Sequence, residues 1–146
     1  MAIAAPVLCV VGNEDEADHF KKALAALSIS NPIRCMVGSK AAIDELDRSG
    51  REKDVSPILV FLSLTAPEAN RLAAWFEAHP NASPSALIAT TGFKDMRPII
   101  QAYHLGVTSF LEWPLKTEDI RNALSANRSL ALEVIDGKTA IRPVSI

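Results

Sequence analysis

"SPILVFLSLTAPEAN", residues 56–70, decides the fold. Ile58 to Leu62 are consecutive apolar residues, followed by Ser63, Leu64 and turn-forming chemistry. A short unbroken apolar run bounded by turn signals reads as a strand buried on both faces. Strands of that kind belong to parallel sheets, which present the residues just past their carboxyl ends to ligands. Ser63 therefore stands where such a sheet would hold a functional side chain.

The rest of the chain alternates between two periods. Pro6–Val11 is another apolar run, and Asn13 or Asp15 can cap the helix after it, with Ala17, Phe20, Leu24 and Leu27 on one stripe. "NPIRCMV" is a second short strand, and Ser39 caps a helix that turns Ala42, Ile43 and Leu46 inward. The charged stretch 47–56 reads as a solvated loop. Pro67 suits the first turn of a third helix with Leu72, Trp75 and Phe76 buried. "ALIATT" is a fourth strand, and a fourth helix carrying Ile99, Ile100 and Tyr103 ends near Gly106. "VTSFLEW" is a fifth strand, after which Thr117 caps a fifth helix with Glu118 and Asp119 in its first turn.

Strands that are apolar throughout, alternating with helices, predict an α/β fold: a doubly wound, five-stranded parallel sheet covered on both faces. The functional edge then comprises Val11-Gly12-Asn13, Ser63, Thr91-Gly92 and Trp113-Pro114. The tail "ALEVIDGKTAIRPVSI" breaks the alternation. Its Asp-Gly between two β-prone segments signals a hairpin, which leaves an added strand pair, a dimerisation arm or the start of a further domain open. The division read from the sequence is 1–130 for the α/β domain and 131–146 for this extension.

Composition narrows the function classes. A chain of 146 residues with 49% apolar and 22% charged residues is an ordinary globular domain with room for a core. The net charge of −2 offers no field for nucleic acid or an anionic membrane. No apolar run approaches the ~20 residues of a membrane span, and the N-terminus lacks the basic start of a signal peptide. The expectation is a soluble, cytoplasmic protein. Cys9 and Cys35 sit inside apolar runs and read as small buried hydrophobes in a reducing compartment. A redox pair is the lesser reading, on the ground that neither thiol has a basic neighbour on its own strand to lower its pKa. There is no glycine-rich phosphate loop, and His19, His79 and His104 are scattered over separate helices rather than spaced as metal ligands.

Four fragments in order resemble the receiver domain of bacterial two-component response regulators. "VLCVVGNEDEADHFKKAL" looks like its opening strand and helix, and "VFLSLTAPEANRL" like its third strand and following loop. "ALIATTGFKD" and "AYHLGVTSFLEWPL" look like its last two strand ends. The resemblance covers roughly residues 6–128 and implies a flavodoxin-like, CheY-like strand order, 2-1-3-4-5. It also implies that a phosphoryl-accepting carboxylate would fall on Ser63, the Mg²⁺-holding acidic pair on Val11 and Gly12, and the pairing lysine on Trp113. Thr91 alone matches, as the hydroxyl residue.

These substitutions remove the chemistry. Val11 and Gly12 supply no side-chain oxygen for a hard cation, Trp113 offers one neutral donor in place of a cation, and Ser63 is an alcohol that needs a base. The expectation is a non-enzymatic pseudo-receiver without metal or cofactor, acting through a protein partner or output domain and as a homodimer. By the resemblance, its interface would include Ile100, Tyr103, His104 and Leu111. The alternatives are a ligand-gated module, with a small molecule at the neutral pocket under Trp113, and an atypical phosphorylated regulator that uses Glu14 and Asp15 in a shifted register.

Overall fold

The apolar runs become one parallel sheet of β1 (Val7–Val11), β2 (Ile33–Val37), β3 (Leu59–Ser63), β4 (Ala86–Thr91) and β5 (Ser109–Glu112), in the order β2-β1-β3-β4-β5. The computed structural model describes residues 5–51, 57–64, 69–79, 84–91, 106–113 and 115–143. Between the strands lie α1 (Glu14–Ala26), α2 (Ser39–Arg51) and α3 (Ala69–Ala78), and α4 (Thr117–Ala126) follows β5. The helix expected over Ile99–Tyr103 lies outside the described residues. Gly106, its expected stop, has φ 98°, the left-handed conformation such a stop requires.

Alternation along each strand divides the apolar side chains between two cores. Val7, Cys9, Val11, Leu59, Phe61, Ala86, Ile88 and Leu111 face α1 and α4, where Phe20, Leu24, Ile120 and Leu124 meet them. Leu8, Val10, Val60, Leu62, Leu87 and Ala89 face the other way, onto Ala42 and Leu46 of α2 and Leu72 and Phe76 of α3. The sheet is thus buried on both sides, as its unbroken apolar strands require.

Helix ends depart from expectation in three places, the first being Ser39, which opens α2 as its first residue instead of capping it. The stretch 47–51 continues α2 instead of starting a loop. Its arginines are good helix formers, and extending an existing helix is easier than nucleating one. The cap of α4 is Lys116 rather than Thr117, with no side-chain bond to the helix, although Glu118 and Asp119 do occupy the first turn. Asn13 caps α1 as expected, its side chain accepting from the Glu16 N–H at 2.9 Å.

The tail forms the hairpin that its Asp-Gly signals. β6 (Leu130–Ile135) and β7 (Lys138–Pro143) pair antiparallel around Asp136 and Gly137, whose φ values of 53° and 77° suit a tight primed turn. An isolated hairpin is marginal in water, and this one is anchored. Thr139 donates to Ser28 O and accepts from Ser30 N, both at 2.8 Å, beside the connection from α1 to β2. Leu130 and Ile141 join the core under α1 and α4. The hairpin therefore sits at the amino-terminal end of the sheet, opposite Ser63.

Candidate functional site at the carboxyl edge of the sheet

The order of strands reverses between β1 and β3, so the crevice of this fold opens at their carboxyl ends. Ser63 ends β3 there and is wholly buried. By alternation with Leu59 and Phe61 it faces α1. Val11, also at zero exposure, lies on the same face of β1. Gly12 follows, and its N–H donates to Glu16 Oε1 at 2.7 Å. Asn13 caps α1 from below while the Glu16 carboxylate folds back over the end of β1, so both are engaged in starting the helix.

Trp113 crosses this edge from the end of β5. Its ring meets Phe20 edge-on at 5.6 Å between centroids and His19 edge-on at 5.9 Å, both from α1. Phe20 in turn lies 5.2 Å from Phe61, two residues before Ser63. A line of aromatic rings thus joins β5 to β3 through α1, each contact worth about 0.5–1.5 kcal/mol beyond its burial. The space that the resemblance gives to a lysine is filled by an indole packed on the core.

Backbone groups at the edge are consumed by neighbouring strands. Gly38 N donates to Val11 O at 3.0 Å, Leu64 N to Thr90 O at 2.9 Å, and Trp113 N to Thr91 O at 3.2 Å. The sheet ladder therefore runs to the last residue of each strand.

The structure brings Val11, Gly12, Ser63 and Trp113 to one edge, but Thr91 turns aside. It is nearly buried on the face of Leu87 and Ala89, while Thr90 faces α1 with Ala86 and Ile88. Thr90 is the residue paired with Ser63 across the β3–β4 ladder, and its hydroxyl is the one reasoning from sequence missed. No periodicity in the sequence marks it, since every residue of Ala86–Thr91 is buried and two threonines stand side by side. Thr90 Oγ1 and Trp113 Nε1 are both buried without a hydrogen-bond partner among the described residues.

The donor set does not fit a divalent cation. Val11 and Gly12 bring no side-chain oxygen, and among the described residues no three of His, Cys, Asp or Glu are grouped to hold a metal. Of the expected interface residues, Ile100, Tyr103 and His104 lie outside the described residues. Leu111 does not reach the surface: it is 6% exposed, because its position on β5 points it under α1 and α4. No described helix is long and apolar enough to cross a membrane.

No family model matches the chain, and no curated protein matches it significantly. Solved structures do. The bacteriophytochrome response regulator RtBRR superposes with a TM-score of 0.78 at 18% identity, over 92% of this chain and 83% of that one. The Mn²⁺-bound form of response regulator Rcp1 gives 0.71 at 17% identity, over 89% and 99%. A CheY-like receiver domain protein from Methanospirillum hungatei JF-1 gives 0.66 at 12% identity, over 84% and 91%. Likeness at such identities speaks for architecture alone, and it joins the strand order and the two-sided core in one conclusion: this chain has the flavodoxin-like fold of response-regulator receiver domains.

Proposed function

We propose that the chain is a pseudo-receiver, a receiver-type module of signal transduction that accepts no phosphoryl group and acts by binding protein. The observation that carries this reading is the neutral, packed carboxyl edge: Ser63 and Val11 at zero exposure, with Trp113 laid across to Phe20 and His19. Phosphoryl transfer depends on positioned cations around the transferred group, and this edge offers a hydroxyl, an indole and a valine instead. The partner is a protein or an output domain, and we include a second copy of the chain. Exposed apolar side chains on the hairpin, Val134 at 70%, Ile135 at 48% and Leu132 at 37%, favour such contacts. The module is not an enzyme in this reading, and it has no nucleic-acid or membrane partner.

A second reading, a ligand-gated module, draws on the unpartnered Thr90 Oγ1 and Trp113 Nε1. Buried donors and acceptors are normally satisfied, and a small polar ligand at this edge would satisfy them.

Titration with Mg²⁺ and beryllofluoride tests the first reading. The Trp75→Phe protein leaves Trp113 as the one tryptophan. Its emission stays unchanged on titration. A saturable change that disappears on replacing Asp15 overturns the proposal in favour of a phosphorylated regulator with a shifted register.

A further inference from the structure

Cys9 and Cys35 are direct partners across the parallel ladder of β1 and β2. Both side chains lie on the α1 side of the sheet, Cys9 fully buried and Cys35 partly exposed. Adjacent strands run about 4.8 Å apart, inside the Cα separation that a disulfide spans, so only the Cβ atoms must be drawn together. β2 is an edge strand with partly exposed residues, so it has room to make that adjustment.

We propose that this pair is a redox-modification site, in which a hydroperoxide oxidises Cys35 and Cys9 then closes a reversible disulfide between β1 and β2. The proposal is independent of the reading of the Ser63 edge.

The surroundings sort the two thiols into different roles. The neighbouring Cys9 thiol, with the Lys21 charge on α1, lowers the Cys35 pKa to about 7, against opposition from burial and from Asp18 and Glu14, and the Cys35 thiol when protonated donates weakly to Ala17 O at 4.0 Å. Burial and the neighbouring Cys35 sulfur hold the Cys9 proton on. Arg34, the neighbour of Cys35 in the chain, instead pairs with Glu45 of α2 at 3.1 Å. The activating cation therefore comes from α1, since the cation on the strand itself, Arg34, is engaged with Glu45. Cys35 is the accessible, ionised thiol that reacts first, and Cys9 stands ready to resolve it.

The chemistry balances. The Cys35 thiolate attacks one oxygen of the hydroperoxide. A sulfur–oxygen bond forms, the O–O bond breaks, and the alcohol leaves with a proton, giving a sulfenic acid. The Cys9 sulfur then attacks the Cys35 sulfur. The disulfide forms, the S–O bond breaks, and hydroxide leaves as water with the Cys9 proton. Two electrons pass from the two thiols to the peroxide, and a dithiol reverses the change. The cross-link would tie β2 to β1 two residues below Val11, where Gly38 closes the edge.

Hydrogen peroxide added to the folded protein tests the site, read by intact mass and by peptide mapping after alkylation without reduction. The expected product is an intramolecular Cys9–Cys35 disulfide that dithiothreitol reverses. Cys35→Ser should slow the reaction with peroxide at least about ten-fold. Cys9→Ala, chosen because a serine hydroxyl would be costly at this buried position, should stop at a Cys35 sulfenic acid that dimedone traps. Failure to form the internal bond in wild type, whether both thiols stay free, Cys35 over-oxidises or only intermolecular bonds appear, overturns the proposal. An unchanged reaction rate in Cys35→Ser does so as well.

Discussion

Asn31 and Ile141 are joined by a reciprocal pair of hydrogen bonds. The Ile141 N–H donates to Asn31 Oδ1 at 2.7 Å, and Asn31 Nδ2 donates to Ile141 O at 2.9 Å. The same amide also donates to Ala5 O at 2.9 Å, and Asn31 is only 2% exposed. One side chain thus ties the hairpin to the connection into β2 and to the lead-in of β1. Asn31→Ala leaves buried backbone groups unpaired and should cost about 2–3 kcal/mol, lowering the melting temperature by roughly 5–10 °C. Truncation after Leu130 should cost at least as much, since it also strips Ala140 and Ile141 from the core. Calorimetry of both proteins checks this. An unchanged melting temperature on truncation would support the division at residue 130, with 131–146 as a separate extension.

Thr90 carries a buried hydroxyl with no described partner. Replacing an unsatisfied polar group by its apolar isostere is neutral or favourable. Thr90→Val should therefore match or exceed wild type in denaturant unfolding, by up to about 1 kcal/mol. A clear loss of stability would mean that the hydroxyl holds a water or ligand, and would shift the balance toward the ligand-gated reading.

At Ser63 the question is whether restoring a carboxylate restores a metal site. Ser63→Asp places an acid at a position with zero exposure beside Val11, which offers no ligand atom. The variant should lose roughly 3 kcal/mol of stability, and millimolar Mg²⁺ should not recover it. Urea unfolding with and without Mg²⁺ measures both quantities. A metal-dependent recovery would show that acids near this edge can still ligate, contrary to the pseudo-receiver reading.

The sheet was legible because Val7–Val11, Leu59–Leu62 and Ala86–Ala89 are apolar without interruption, and only a strand covered on both faces tolerates that. The Asp136-Gly137 turn was legible from a dipeptide, but not where its hairpin docks. That depends on Asn31, a polar residue whose partners lie about a hundred positions away in the chain. The site was legible in position more than in detail. Ser63 and Trp113 follow from strand ends, whereas the choice of Thr90 over Thr91 rests on pleat alternation that a run of two threonines conceals. The pairing of Cys9 with Cys35 needed strand register, which apolar periodicity does not carry.

Cys35 has its pKa lowered to about 7, chiefly by the neighbouring Cys9 thiol. A folded-state pKa below the unfolded one means that the folded protein gives up the proton first. The resulting stabilisation grows as pH rises from about 7, is complete above the ordinary thiol range, and is lost as pH falls through about 7. Cys9, with its pKa raised, works in the opposite sense and removes stability only above that range. Iodoacetamide alkylation of Cys35 should be half-maximal near pH 7 in wild type and shift upward in Cys9→Ala. A common midpoint near pH 7 for both proteins would rule out the Cys9 thiol as the cause, and a wild-type midpoint in the ordinary thiol range would remove the lowered pKa itself.

Val134, exposed at 70%, tests the proposed self-association. Among the described residues its strand β6 is bonded to β7 alone, which leaves its other edge for a strand of a second copy. Two-fold pairing of β6 with itself would satisfy both edges and cover Val134 together with its apolar neighbours. Val134→Glu should change stability by no more than about 0.5 kcal/mol, as expected for an exposed position. It should nevertheless convert a wild-type dimer to monomer in sedimentation equilibrium. A wild type that is monomeric at every concentration would remove the homodimer from the proposal. Equal dimerisation of both proteins would instead take the contact away from the hairpin and leave the surface expected around Ile100, Tyr103 and His104 as the place to look.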